Sequence, residues 1–185
     1  MIDVTQMGSV SRRGSAVHLE RRLAASPDRV WAAWTDPVRL GRWFAPVESG
    51  VPGPGETFVL RMAVHETATC TVTRWEPPKR LEMIWDYTGE GASRFRLRLR
   101  DLPDGGTHVL LDHDQFHPGA DLVEYVAGWH THLDGLAAHL GGEPRPDFET
   151  TFRSLHLLYV QQAQAVAAPV ETLDAQGDHR DCCVR

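Results

Sequence analysis

The chain has 185 residues, 42% of them hydrophobic and 24% charged, which suits one compact domain with some extra chain. A net charge of −6 argues against a phosphate-binding surface, so nucleic acid is not an expected partner. No apolar run approaches the roughly 20 residues that cross a bilayer, and MIDVTQMGSVSRRG lacks the apolar core of a secretory signal, so no membrane partner is expected.

Residues 1–14 carry little apolar periodicity and read as a flexible leader. AVHLERRLAA then places Val17, Leu19, Arg21 and Leu23 on one side, the pattern of a half-buried strand. In SPDRVWAAWTDP, Ser26 stands as N-cap and Pro27 at the first helical position, with Val30, Trp31 and Trp34 on one side. Asp36-Pro37 stops that helix and starts a second short one, about residues 38–44, ending in RWFAP.

From VPGPGE onward the chain reads as strand and turn. TFVLRMAV alternates, TATCTVTRW is Thr-rich and β-branched, and EPPKR turns it into LEMIWDY. SRFRLRLR interleaves Phe95, Leu97 and Leu99 with Arg94, Arg96, Arg98 and Arg100. Those arginines form a solvated outer face, expected to be offset by Glu82 and Asp86 on a neighbouring strand. DLPDGG is a hairpin turn, and THVLLDHDQF closes the series. Strands about ten residues apart suit an antiparallel meander with one buried face.

At Gly119 the period becomes helical. Leu122, Tyr125, Val126, Trp129, Leu133, Leu136 and Leu140 make a broad apolar stripe that GGEPRP ends. DFETTFRSLHLLYVQQAQAV is a further amphipathic helix, with Phe148, Phe152, Leu155, Leu158 and Tyr159 on one side, and residues 169–185 read as a disordered tail. This order predicts an α+β protein. A curved antiparallel sheet of about six strands wraps over a long C-terminal helix, with two short helices after the first strand and an additional C-terminal helix. Such a layout encloses space between sheet and long helix, where small ligands bind.

AASPDRVWAAWTDPVRLGRWFAP resembles the opening segment of the START-like, birch-pollen-allergen-like (SRPBCC) superfamily. More narrowly, it resembles the bacterial homologues of the heat-shock-protein ATPase activator. WEPPKRLEMIWDY resembles that family's central hairpin, and GGTHVLLDHDQF with GWHTHLDGLAAHL resembles its last strand and long helix. The resemblance covers about residues 15–140 and implies a helix-grip fold. The boundaries are then 1–14 for the leader, 15–140 for the helix-grip domain, 141–168 for a helix beyond the usual core, and 169–185 for the tail.

No single activity is implied, since the superfamily includes lipid carriers, hormone receptors and polyketide cyclases. The chain has no room for the separate chaperone-binding domain of the eukaryotic co-chaperone, so ATPase activation is not the expected role. In the family's arrangement Trp43 and Phe44 would form part of a lid, while Trp85 and Trp129 would line floor and helix. Phe95, Leu97 and Leu133 are expected beside them as ligand-binding residues.

Two polar side chains stand among these apolar ones. His113 shares a strand face with Val109 and Leu111, so it points inward near the strand's end. It could orient a polar ligand group or act as a general base near neutral pH; otherwise it is a hydrogen-bonded histidine at the core's rim. Tyr87 shares a face with Leu81, Met83 and Trp85. Its hydroxyl is a second polar anchor, or its ring is core.

His130, His132 and Asp134 spell H-x-H-x-D, a run that holds zinc in many hydrolases. On a helix, His130 and His132 lie roughly 200° apart, so the three cannot converge on one ion. The expectation is no metal and a solvated helix face, with His130 and Asp134 paired four apart. No phosphate loop, nucleophile elbow or C-x-x-C pair occurs.

Cys70, Cys182 and Cys183 make no disulfide framework, which favours a reducing cytoplasm. The terminal CCVR is a poor prenylation signal, with Arg185 last and no polybasic segment beside it. The leading expectation is a cytoplasmic binding module, a monomer or homodimer without cofactor, that encloses a small hydrophobic or aromatic molecule. A cyclase, dehydratase or isomerase of secondary metabolism, using His113 and Tyr87 as acid and base, is the alternative. A stress-response or chaperone-interaction protein is a third, and it requires a large exposed apolar patch.

Overall fold

The computed structural model describes residues 7–11 and 16–167. Its strands are β1 (Ser9–Val10), β2 (Ala16–Leu23), β3 (Val47–Ser49), β4 (Thr57–Ala63), β5 (Glu66–Glu76), β6 (Arg80–Tyr87), β7 (Gly91–Asp101) and β8 (Thr107–Asp114). They form one curved antiparallel sheet of 8 strands in the order β1-β2-β8-β7-β6-β5-β4-β3. Helices α1 (Pro27–Thr35) and α2 (Pro37–Trp43) follow β2, and α3 (Leu122–Gly141) and α4 (Phe148–Ala167) follow the sheet.

The expected count of about six strands is thus two short. The additional strands, β1 and β3, are edge pieces of 2 and 3 residues, too brief to show alternation. β1 also corrects the leader, because Ser9 and Val10 pair with His18 and Val17 of β2. The rest of the leader (1–6 and 12–14) and the tail with Cys182 and Cys183 lie outside the described residues.

Helix ends follow local chemistry. Pro27 opens α1 from the Ser26 N-cap position, although the Ser26 side chain makes no cap bond. Asp36 ends α1 and caps α2, its Oδ1 accepting from the backbone N–H of Val38 and Arg39. Asp121 caps α3 in the same way through Val123 and Glu124, and Gly142 stops α3 with a left-handed φ of 76°. None of the described helices is long and apolar enough to cross a membrane.

Alternation decides which face is buried. Val17 and Leu19 of β2, Phe95 and Leu97 of β7, and Val109 and Leu111 of β8 point to the inner side. There they meet Val126, Trp129, Leu133 and Leu136 of α3. On the outer side the arginines of β7 are indeed solvated, but their partners differ from expectation. Register sets Asp114 and Asp112 of β8 opposite Arg94 and Arg96. Arg94 and Arg96 accordingly bridge to Asp114, and Arg98 to Asp112. Glu82 is taken by Arg80 on its own strand.

Helix α4 packs on α3 through Leu155 and Tyr159, both buried. The Tyr159 hydroxyl accepts the N–H of Gly8 at 2.6 Å and lies 2.9 Å from Nδ1 of His130. With the hydroxyl donating to Nδ1, the ring's other nitrogen faces Asp134 at 3.7 Å. Asp134 in turn pairs at 2.9 Å with Arg21, whose side chain is 4% exposed. The solvated helix face expected around His130 is therefore corrected: α4 covers it and His130 is buried.

Candidate functional site

A cavity of about 270 Å³ opens where the end of the sheet, α3 and α4 meet. Its inner wall is aromatic. Phe44, just after α2, stacks on Trp129 of α3 with centroids 5.4 Å apart and planes 4° apart. Trp85 of β6 meets both rings edge-on, at 6.0 and 5.5 Å. Met62, Tyr87 and Tyr125 continue the wall, and Phe148 and Phe152 close it from α4. Gly128 faces the cavity where a side chain would reduce it; a Cβ there would approach only Phe152, at 4.0 Å.

Of the side chains singled out in the sequence, Phe44, Trp85, Tyr87 and Trp129 come together on this wall. Trp43, Phe95, Leu97, His113 and Leu133 do not. Trp43 turns into the core, edge-on to Trp34, and donates its Nε1–H to the Ala33 carbonyl at 2.8 Å. Phe95, Leu97 and Leu133 are fully buried behind the wall, because the sheet and α3 pack directly on one another there.

His113 points inward and is fully buried, but both ring nitrogens are committed. Trp129 Nε1–H donates to Nδ1 at 3.0 Å, which leaves the ring proton on Nε2. That proton goes to Ser93 Oγ at 2.7 Å, and Ser93 donates onward to the Trp85 carbonyl at 3.0 Å. Burial pushes the imidazole down to about 3, only slightly opposed by Asp114. It is a neutral strut beneath two wall tryptophans. Tyr87 is not its partner: its hydroxyl donates to Glu66 at 2.5 Å near the surface. The acid–base pair expected of His113 and Tyr87 does not meet at one buried point.

The carboxylates of the wall come from residues the sequence did not single out. Glu90 lies in the β6–β7 turn and accepts the Tyr125 hydroxyl. Asp121 and Glu124 stand at the start of α3. Burial, then the neighbouring carboxylates, raises both phenols well above their ordinary value: Glu66 and Glu90 beside Tyr87, Glu90 beside Tyr125. The wall also holds His132, edge-on to Phe44 at 4.2 Å and tilted on Phe148 at 4.9 Å. Burial and the nearby Arg145 push it down to about 3, so it is neutral. Nδ1 of His132 and Nε1–H of Trp85 are buried with no partner in the protein.

His130 and His132 thus leave α3 on different sides, one under α4 and one to the cavity. Among the described residues, the metal-capable side chains that cluster are Asp121, Glu124 and His156, with ligand atoms within 4.8 Å of one another. H-x-H-x-D is not that cluster. Asp121 and Glu124 are exposed, and Asp121 already spends one oxygen on capping α3.

This is a helix-grip α+β protein with an aromatic, acid-rimmed cavity at one end of its sheet. Residues 24–141 match the profile of the activator of Hsp90 ATPase homolog 1-like proteins, and the chain belongs to that family. No curated protein matches it.

Among solved structures it is similar to CalU16 from Micromonospora echinospora. Identity is 29% over 85% of this chain and 95% of that one, with a TM-score of 0.66. Protein BPP1335 from Bordetella parapertussis is 28% identical over 86% and 93%, with a TM-score of 0.64. DynU16, a protein of the dynemicin biosynthetic locus, is 25% identical over 72% of this chain and 50% of that one, with a TM-score of 0.65.

Proposed function

We propose that this protein binds a small, largely aromatic or hydrophobic molecule in the cavity between Trp85, Trp129, Phe44 and helix α4. The carrying observation is a concave cavity of about 270 Å³ with an aromatic wall and the carboxyl-bearing residues Glu90, Asp121 and Glu124 at its edge. Ligand sites have this make-up: an apolar enclosure with a few polar groups to fix orientation. The volume sits just below the common range for drug-sized ligands, so the guest is small. DynU16 comes from the dynemicin biosynthetic locus, which supports a small-molecule role. Among the described residues the one cysteine, Cys70, is a buried free thiol, which suits the reducing cytoplasm we assign.

The two alternatives have less behind them. Acid–base catalysis by His113 and Tyr87 lacks a shared point of attack. Chaperone interaction needs a contiguous apolar patch, and among the described residues the exposed large hydrophobics are five: Val38, Val51, Val64, Ile84 and Leu157.

An NMR screen of small aromatic compounds tests the proposal. Binders should shift the indole N–H resonances of Trp85 and Trp129, and lose that effect in Gly128→Leu. A panel in which no compound moves either indole overturns it.

A further inference from the structure

We propose that the guest is a cation: a small aromatic or alkyl body carrying a protonated amine, seated with the ammonium toward Glu90 and Glu124 and the body against Trp85 and Trp129. This rests on the binding role proposed above and adds the sign of the ligand's charge.

The cavity's formal charge has one sign. Glu90, Asp121 and Glu124 are on its wall, and neither lysine nor arginine is. Arg145 lies behind the wall, its Nη1 donating to the Phe44 carbonyl at 3.3 Å. The basic side chain that does reach the cavity, His132, is neutral, so it offsets none of the negative charge.

The carboxylates are also held in place. Tyr125 donates its hydroxyl to Glu90, and Tyr87 donates to Glu66 at 2.5 Å. Of these two acceptors Glu90 is on the cavity wall, so the Tyr125 phenol fixes a carboxylate there. A helix N-terminus ordinarily attracts anions, but the start of α3 is already answered by the Asp121 cap and by Glu124 in its first turn. An anionic guest would meet three carboxylates with no counter-charge.

A neutral guest would cover the half-buried Glu90 with the Tyr125 hydroxyl beside it but no counter-charge. An ammonium supplies that charge.

The test uses three probes that share a phenyl ring, titrated by NMR into the full chain at pH 7 with EDTA present. They are 2-phenylethylamine, 2-phenylethanol and 3-phenylpropanoate. The amine should bind about tenfold or more tighter than the alcohol, and the carboxylate more weakly than either. Glu90→Gln and, independently, Glu124→Gln should each shrink the amine-to-alcohol ratio severalfold, and Gly128→Leu should abolish binding of the amine.

Equal affinity for amine and alcohol overturns the charge assignment and leaves the cavity's binding role standing. So does a preference for the carboxylate. An amine preference that persists in Gly128→Leu places the attraction on the outer surface and overturns the seat proposed here. Failure of all three probes to bind removes both readings.

Discussion

Trp129 hands its indole N–H to Nδ1 of His113 across 3.0 Å, so a wall residue of the cavity is braced by a histidine that never reaches the cavity. This brace has a pH signature. An unfolded histidine titrates near 6.5, while burial holds His113 down to about 3 in the fold. Between those values the unfolded chain carries a proton that the native protein refuses. Stability therefore rises with pH through that window and is complete above about pH 6.5. His132, lowered to about 3 by burial and Arg145, adds to the same slope.

Urea midpoints should fall as pH drops from 7 to 4, and the fall should be shallower in His113→Phe. At pH 7 that variant should lose about 1–3 kcal/mol, because Trp129 Nε1 and Ser93 Oγ are left without their partner. Equal slopes in the two proteins would show that the acid sensitivity comes from elsewhere.

Gly128 separates stability from binding. It sits mid-helix, where glycine costs roughly 0.5–1 kcal/mol relative to alanine, and a Cβ there meets only Phe152 at 4.0 Å. Gly128→Ala should raise the midpoint of thermal unfolding. Gly128→Leu should keep the fold by circular dichroism while losing the aromatic binders.

Tyr159 ties α4 to the edge of the sheet. Tyr159→Phe strips a partner from both Gly8 N–H and His130 Nδ1, for a loss of about 1–3 kcal/mol. Burial has pushed the phenol up to about 12, so the lost group is a neutral hydroxyl at any working pH. Hydrogen exchange should quicken in α4 and β1 before it does in β5–β7. Uniform quickening across the sheet would contradict a local role.

The two kinds of ion pair should behave differently. Asp134→Ala leaves Arg21 facing a low-dielectric interior, and the expected loss is about 3 kcal/mol. That is the low end for a buried pair, since the Asp134 side chain keeps 29% exposure. Arg98→Ala, whose side chain is 42% exposed, should cost less than about 1 kcal/mol. Denaturant titration of both variants settles the contrast, which collapses if Arg98→Ala costs as much as Asp134→Ala.

Much of this architecture was legible because period and turn chemistry are local. Alternation marked Phe95, Leu97 and His113 as inward, and the stripe from Leu122 to Leu140 marked α3. The cavity was less legible because its wall is assembled from separate stretches. Glu90 stands in a turn, Tyr125 looked like one more member of an apolar stripe, and Phe148 and Phe152 belong to a helix whose docking no periodicity reveals. His113 shows the same limit from the other side. Strand parity gives its direction, but only tertiary packing decides that Ser93 and Trp129 consume both its nitrogens. The cover over His130 was equally invisible, since it depends on where α4 lands.

Helix α4 also has a consequence for how such proteins diverge. The stretch that matches the family profile stops at residue 141, whereas Phe148 and Phe152 stand on the cavity wall. On the binding role proposed above, substitutions in α4 alter what the chamber admits while every strand of the sheet stays as it is.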